Sequence, residues 1–528
     1  MNDIPARRSW VPRADWLDRR EAAPAGVGGR VVWVLTLVGA LLRILFVTRP
    51  SVWVDEMLTW RAVHPAAGYG FVEQFLDTIQ GPLYLAAVWP LTHARDTELM
   101  LRLPALLAGI VAVPLFGLLA GRVLAPRGAR LALLLFALNP FLVWYSQEGR
   151  GYSFLLLFAV LTGWAYLELV RRGPVPGAVV GFGLAGAAMV LSNLSGVFLL
   201  AAMGLSLLTL HRPATGRAWG GWIFAFALAV LLSAPWLLKA AGIWAIDRVV
   251  PGAETGAALR GETTFSPLAV PYAFFTFLFG YSLGPSLREL HQPDRLAVLM
   301  GYAPVLGAAG VAAAVAVGAG LGDRERRRTV LLALWIAVPV AVLILLAVRN
   351  VKPWNPRYVA VVVPWLLLLA GAGLARLPRR IELGVAGLLV GLTVWSLGGY
   401  YGADKYAKAD VRAAVAHVAA ARPASGTVLV PVVTTVYAYY DRGGHELLDS
   451  FGWPPLASPA EADRFVAAVL AGHDFCRVVL ARAWHFDPQG LLPAALSRAG
   501  LLRTEATFPG VVVMTWERRS NRIGDHES

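Results

Sequence analysis

The sequence predicts an all-α polytopic membrane protein with about eleven transmembrane helices, followed by a small C-terminal α/β domain. Three observations carry that expectation. The chain has 528 residues, 57% of them hydrophobic and only 15% charged, where a soluble globular protein carries about 25% charge. Its mean hydropathy is +0.60, and the apolar residues gather into runs near the roughly 20 residues that cross a bilayer core. Between those runs the basic residues fall in short clusters, as loops of polytopic proteins do. A water-soluble enzyme is thereby excluded.

The runs lie at residues 31–48, 100–121, 130–146, 152–170, 177–210, 219–237, 296–320, 329–348, 357–376 and 382–400. The 177–210 run is too long for one crossing and holds Ser192, Asn193 and Ser195 near its middle. It reads as two short spans joined by a tight turn.

Charge supplies the orientation. Lys and Arg number 47 against 33 Asp and Glu, a net +14, which in a soluble protein would point to nucleic acid. Here the excess sits in alternate loops: Arg122, Arg127 and Arg130; Arg171 and Arg172; Arg212 and Arg217; the cluster ending at Arg328; and Arg376, Arg379 and Arg380. With the Arg-rich N-terminus these mark one side, which the positive-inside rule makes cytoplasmic. The stretches 81–94 and 266–287 are then interfacial or re-entrant on the outer face, since one further crossing would turn every later basic loop outward. The Arg328 cluster reads as an orientation signal. No nucleic-acid partner is expected; the basic loops meet anionic membrane lipid.

An odd number of spans leaves the C-terminus outside. The expected division is a cytoplasmic tail at 1–30, a membrane domain at 31–400 with an outer loop at 49–99, and an extracytoplasmic α/β domain at 401–528. Within the last, 409–421 and 460–471 have helical spacing, whereas 427–440, 477–480 and 511–516 are rich in β-branched and aromatic residues and read as strands. The single cysteine, Cys476, excludes an intrachain disulfide and a thiolate metal cage, and reads as a small buried apolar residue. The histidines show no metal-ligand spacing, and His445, His473 and His485 read as ordinary residues of the outer domain. There is no phosphate-binding Gly-x-x-x-x-Gly-Lys-Ser/Thr loop.

Polar residues at the outer membrane boundary are the informative ones, because charge beside a bilayer is costly. The first outer loop carries Asp55 and Glu56 among tryptophans. On a helix neighbouring side chains diverge by about 100°, so a shared-proton dyad is disfavoured. One carboxylate can act as a base while its neighbour orients it or caps the helix; alternatively both simply favour a helix N-terminus. The pair can also hold a divalent cation together with waters, although nothing in the sequence requires a cofactor. The short turn Asn139–Ser153 holds Glu148 and Arg150, and the loop at 349–358 holds Lys352 and Arg357. Cations on the outer side run against the positive-inside trend and suit an anionic ligand such as a phosphate; the alternatives are a local Glu148–Arg150 surface pair and snorkelling anchors at Lys352 and Arg357. Arg43 lies within the first span and Arg102 at the outer start of the second, each able to pair with an outer carboxylate.

The order of short motifs resembles a known family. Leu42-Arg43-Ile44, Ser51-Val-Trp-Val-Asp-Glu56, Gly81-Pro-Leu-Tyr84, Leu101-Arg-Leu-Pro104, Trp144-Tyr-Ser-Gln-Glu148 with Arg150 and Tyr152, and Pro356-Arg-Tyr358 occur as in family 39-type glycosyltransferases of the C-type (GT-C) membrane superfamily. Protein O-mannosyltransferases and lipid A aminoarabinose transferases belong there. The resemblance implies transfer of a sugar from a polyprenyl-phosphate carrier to a lipid, polysaccharide or protein acceptor at the outer face of the plasma membrane, with Asp55 in the place of the catalytic aspartate. Tyr84, Arg102, Glu148, Arg150, Tyr152, Lys352, Arg357 and Tyr358 are the candidate substrate-binding residues. One departure stands out: relatives often read His-Pro-Pro where this chain reads Gln80-Gly81-Pro82, so a histidine contact to the carrier phosphate is missing from that position.

Displacement at an anomeric carbon passes through an oxocarbenium-like state. A carboxylate can deprotonate the incoming hydroxyl while cations stabilise the departing phosphate, and direct attack inverts the anomeric centre. Two other readings stay open. A lipid-linked-sugar flippase or transporter explains the spans, although such proteins generally show internal repeats and midplane charges. A non-catalytic scaffold whose outer domain binds a partner is the third.

Overall fold

The computed structural model describes residues 27–64, 80–243, 265–290, 294–421, 426–448, 453, 455–482 and 486–519. The N-terminal tail before Val27, residues 65–79 of the 49–99 loop and His485 lie outside the described residues. In chain order the helices are α1 (Gly29–Ile44), α2 (Val54–Val63), α3 (Pro82–Ala94), α4 (Glu98–Val123), α5 (Pro126–Leu138), α6 (Pro140–Ser146), α7 (Tyr152–Arg172), α8 (Pro176–Ser192), α9 (Gly196–Leu210) and α10 (Gly216–Ile243). They continue with α11 (Ala269–Phe279), α12 (Ala303–Leu321), α13 (Arg326–Val348), α14 (Val363–Leu374), α15 (Arg379–Gly402), α16 (Val411–Ala420), α17 (Thr434–Asp441), α18 (Pro459–Val469) and α19 (Leu491–Ala499). Five strands complete the chain: β1 (Thr427–Leu429), β2 (Glu446–Leu448), β3 (Phe475–Ala481), β4 (Gly500–Phe508) and β5 (Val511–Arg518).

Two compact units emerge. One is formed by residues 1–45, 62–283 and 305–396, the other by 46–61, 284–304 and 397–528. The first is helical and membrane-embedded. Among the described residues seven helices are long and apolar enough to cross a bilayer, eight if the bent pair α5 and α6 is one span. Shorter apolar helices include α8, α9 and α11. The long 177–210 run is two helices, as its central polar residues predict. The chain is a multi-pass membrane protein.

Sequence signals account for the helix ends. Thr97 caps α4, its side chain accepting from the Met100 amide, and proline stands at the start of α3, α5, α6 and α8, where its missing N–H has no helical partner to lose. The 130–146 run is bent by 48° between α5 and α6, because Pro140 cannot continue the hydrogen-bond ladder. Asn139 closes the break: its Oδ1 accepts from the Leu142 amide at 2.9 Å, and its Nδ2 donates to the Phe277 carbonyl at 2.9 Å.

Helix α14 is the centre of this unit, with every residue buried. Small residues let its neighbours approach: a Cβ on Gly371 would meet Ala132 of α5, and one on Gly373 would overlap the Ala316 carbonyl of α12. Such close approach is how helices associate in lipid, where water expulsion no longer drives them together. Trp365 stands edge-on to Trp335 at 4.6 Å. Trp335 in turn donates to Ser206 Oγ at 3.1 Å. Several arginines of the basic loops are ion-paired: Arg122, Arg171 and Arg172 share Glu168, and Arg127 and Arg379 meet Glu382. Arg328 does more than mark orientation, since it is buried, pairs with Asp323 and donates to the Val123 carbonyl.

The second unit contains a five-stranded sheet in the order β2-β1-β3-β5-β4. β1 is parallel to β2 and β3, while β5 is antiparallel to β3 and β4. The expected helices at 409–421 and 460–471 are α16 and α18, and the strands at 477–480 and 511–516 are β3 and β5. The strand expected over 427–440 is corrected: only Thr427–Leu429 is extended, and residues 434–441 form α17. Pro431 removes a ladder donor and Val432 takes a positive φ of 71°, which turns the chain and ends the strand. The β-branched composition suited either state, and the turn decided it. β4 escaped notice because its residues alternate with charge and are largely exposed.

Cys476 on β3 is fully buried, and burial pushes its thiol up to about 12. It is expected to resist a water-soluble disulfide reagent at neutral pH in the folded protein and to react stoichiometrically after denaturation, read as thiol titration with and without denaturant.

Candidate functional site

In the helical unit five of the residues singled out from sequence, Tyr84, Arg150, Tyr152, Lys352 and Tyr358, line one cavity of about 80 Å³. Gln80, Gly81 and Tyr84 come from the start of α3, Arg150 from the turn after α6 and Tyr152 from the first position of α7, Lys352 and Tyr358 from the segment after α13, and Ser192–Ser195 from the turn between α8 and α9. The lining is therefore gathered from four chain segments. Tyr84 is buried and donates to the Leu101 carbonyl at 2.7 Å, with its ring edge-on to Phe154 at 5.4 Å. Tyr152 packs against Tyr145 at 4.6 Å. The Lys352 ammonium is largely buried and stands 4.4 Å from the centre of the Tyr358 ring, a cation–π contact that holds a charge without neutralising it.

The remaining candidates have other surroundings. Glu148 is buried and accepts from the Trp144 indole at 2.8 Å. Arg102 is buried in α4. Arg357 does not line the cavity; its backbone amide donates to the side chain of Asn355 at 3.2 Å, and its guanidinium lies 5.3 Å from the Tyr358 ring centre. Arg43 donates to the Gly39 and Ala137 carbonyls at 2.9 and 3.0 Å. Gln147 of the Ser-Gln-Glu motif donates to the carbonyls of Leu42, Arg43 and Leu45, satisfying groups left open at the end of α1.

The α8–α9 turn is a part of the site that no sequence motif marks. Its polar residues were visible only as a loop signal, since nothing in sequence tells which cavity a turn will face. Two glycines fix it: a Cβ on Gly81 or on Gly151 would overlap the Ser192 carbonyl oxygen. Gly81 has φ −60°, so the requirement there is for space and not for an unusual backbone angle.

In the second unit, the acidic pair lies in the first turn of α2. Glu56 is fully buried; its carboxylate accepts from the Trp53 amide at 3.4 Å and lies 3.9 Å from the Lys408 ammonium. Asp55 is only partly buried. The segment before α2 is held by residues that the sequence offered no motif for. Tyr440 accepts from the Val52 amide at 2.7 Å, Ser51 bonds the Asp410 carboxylate and the Ala409 carbonyl at 3.2 Å each, and Arg412 donates to the Arg49 carbonyl at 2.6 Å. Lys408 and Arg482 lie over the Trp53 ring at 5.2 and 5.3 Å. Among the described residues no group of three or more His, Cys, Asp or Glu stands together as a metal site.

Comparison with solved structures decides the fold. The chain superposes on the ArnT protein of Cupriavidus metallidurans in the apo state with TM-score 0.52 and 14% identity, covering 92% of this chain and 97% of that one. The chain has the GT-C fold. The likeness extends to an oligosaccharyltransferase of Archaeoglobus fulgidus in complex with zinc and sulfate, at TM-score 0.50, 15% identity and coverage of 92% and 72%. Another structure, the archaeal oligosaccharyltransferase AglB from Archaeoglobus fulgidus with an inhibitory peptide and a dolichol-phosphate, matches at TM-score 0.50, 14% identity and coverage of 94% and 75%. No family model matches the sequence, and no curated protein matches it. Within this GT-C fold the cavity is bounded by the motif segments that the sequence resemblance had brought forward.

Gly81→Ala and Gly151→Ala are each expected to destabilise the protein by about 1–3 kcal/mol, the usual cost of forcing a methyl group into filled space. Thermal unfolding in detergent measures this, with Gly177→Ala, where a Cβ meets nothing within 4 Å, as the comparison.

Proposed function

We propose that the protein is a glycosyltransferase that takes a sugar from a polyprenyl-phosphate-linked donor and places it on an acceptor hydroxyl at the outer face of the plasma membrane. The observation that carries this reading is the convergence of Tyr84, Arg150, Tyr152, Lys352 and Tyr358 on one cavity within a GT-C fold. Two cations set among tyrosines suit a lipid-borne phosphate, which needs charge to bind and to leave. A phosphate-linked lipid also meets the topological need, because nucleotide sugars are confined to the cytoplasm. A groove of about 500 Å³ lined by apolar side chains of α11, α12, α13 and α14 offers a bed for an isoprenoid chain. The basic loops that include Arg122, Arg171 and Arg328 are assigned to the cytoplasmic side and the sheet-containing unit to the outer side.

Asp55 acts as general base. It takes the proton of the acceptor hydroxyl as that oxygen bonds the anomeric carbon, and the bond from that carbon to the phosphate oxygen breaks with its electron pair on the phosphate. Polyprenyl phosphate leaves without needing a proton, stabilised by Arg150 and Lys352 with Arg357 nearby in the same segment. In-line attack inverts the anomeric configuration. Glu56, buried against Lys408 and the Trp53 amide, orients the helix that carries Asp55.

The test is transfer from a radiolabelled polyprenyl-phosphate sugar to an envelope extract by purified protein. Asp55→Asn is expected to lower the transfer rate by about 100-fold or more with normal folding and retained lipid binding. Glu56→Gln is expected to keep much of the rate while lowering thermal stability, since Lys408 loses its carboxylate partner. An Asp55→Asn protein with the wild-type rate overturns the base assignment, and movement of the carrier across liposomes without sugar release overturns the transferase.

A further inference from the structure

The cavity has a polar wall that neither the motifs nor the fold comparison assigns: the turn Ser192–Ser195. Its hydrogen bonds leave one group directed outward. Ser192 Oγ donates to the Ala188 carbonyl at 2.6 Å, and Ser195 Oγ donates to Asn193 Oδ1 at 2.9 Å. Both hydroxyl protons are thus engaged inside the turn. The Ser195 backbone amide also donates to Asn193 Oδ1, at 3.1 Å. A backbone N–H can only donate, so the atom that receives it must be the carbonyl oxygen of the carboxamide, and this fixes which end of the amide is which. The two protons on Asn193 Nδ2 find no acceptor among the described residues. Asn193 is half-buried and lines the same cavity as Arg150 and Lys352.

The placement of this group is not left to a mobile loop. The Ser192 carbonyl is pressed against Gly81 on one side and Gly151 on the other, and the Gly196 amide donates to the Asn193 carbonyl at 2.9 Å to close the turn. The described walls of the cavity carry two cations, hydroxyls and carboxamides, and no carboxylate. An acceptor-rich anion complements that surface, and an amine-bearing group does not.

We propose that Asn193 is a phosphate-binding residue: its carboxamide donates to a phosphate oxygen of the lipid carrier, beside the charges of Arg150 and Lys352. The inference rests on the phosphate reading of the cavity given above and extends it to a neutral donor on a separate chain segment.

Asn193→Asp separates a binding role from a structural one. The aspartate keeps an oxygen for Ser195 and so preserves the turn, but replaces two donors with a negatively charged acceptor facing the phosphate. Binding of undecaprenyl phosphate to the full-length protein in detergent is measured for the wild type, Asn193→Asp, Arg150→Gln and Lys352→Gln, with uncharged undecaprenol as control and thermal unfolding as a check on folding. Asn193→Asp is expected to weaken undecaprenyl phosphate binding about tenfold or more, the scale of a lost hydrogen bond to a charged group, with undecaprenol binding and unfolding temperature unchanged. If Arg150→Gln and Lys352→Gln weaken binding and Asn193→Asp does not, the role of Asn193 is overturned while the phosphate site stands. If all three bind as the wild type does, the phosphate reading falls with it. Should Asn193→Asp unfold early, Asn193→Ser, which retains a small local acceptor, takes its place; wild-type affinity in that variant likewise overturns the proposal.

Discussion

In hydrocarbon, every backbone N–H and C=O must find a partner within the protein, and the helical unit is organised around the places where helices cannot meet that demand. At the break between α5 and α6, Asn139 serves one amide and one carbonyl, each at 2.9 Å. Gln147 and Arg43 serve carbonyls at the end of α1 and the bend nearby. The turn between α8 and α9 is closed by Asn193 and Ser195. The cavity draws its walls from such interruptions. Polar side chains recruited to satisfy the backbone are already inside the membrane domain, so chemistry there requires only that some of their donors be left over.

The second unit solves a different problem, that of keeping a short acidic helix in one orientation. The segment leading into α2 buries Val47 and Val52, and it is held by hydrogen bonds to Tyr440, Asp410 and Arg412 and by two cations over Trp53. Glu56 takes the buried place beside Lys408, which leaves Asp55 as the more accessible carboxylate. Adjacent acidic residues thus acquire different environments through the geometry of one helical turn. The residues of this unit after position 400, which carry no motif of their own, have a physical role in this arrangement.

Much of the helical fold was legible because lipid imposes a simple code, the length of an apolar run. Even the split of the 177–210 run followed from three polar residues. Cavity lining was legible where ordered motifs marked it, as at Tyr84, Arg150 and Tyr358. Reading failed where the code is not local. Residues 427–440 have strand composition, but Pro431 and the left-handed Val432 turn them into a helix. β4 has no apolar alternation strong enough to announce it, because its pairing with β5 supplies the order. Lys408, Arg412 and Tyr440 are separated from the acidic loop by more than 350 positions for the bonds recorded, and no spacing rule connects residues that far apart.

The contact between Gly81 and the Ser192 carbonyl has an evolutionary consequence. Here the Ser192 carbonyl occupies the space that a Cβ at position 81 would need. The two sites are coupled: any side chain larger than hydrogen at position 81 is closed to this chain for as long as its turn keeps that approach. A side chain at position 81 therefore calls for a compensating shift of the α8–α9 turn, so the two segments are free to change together and not singly.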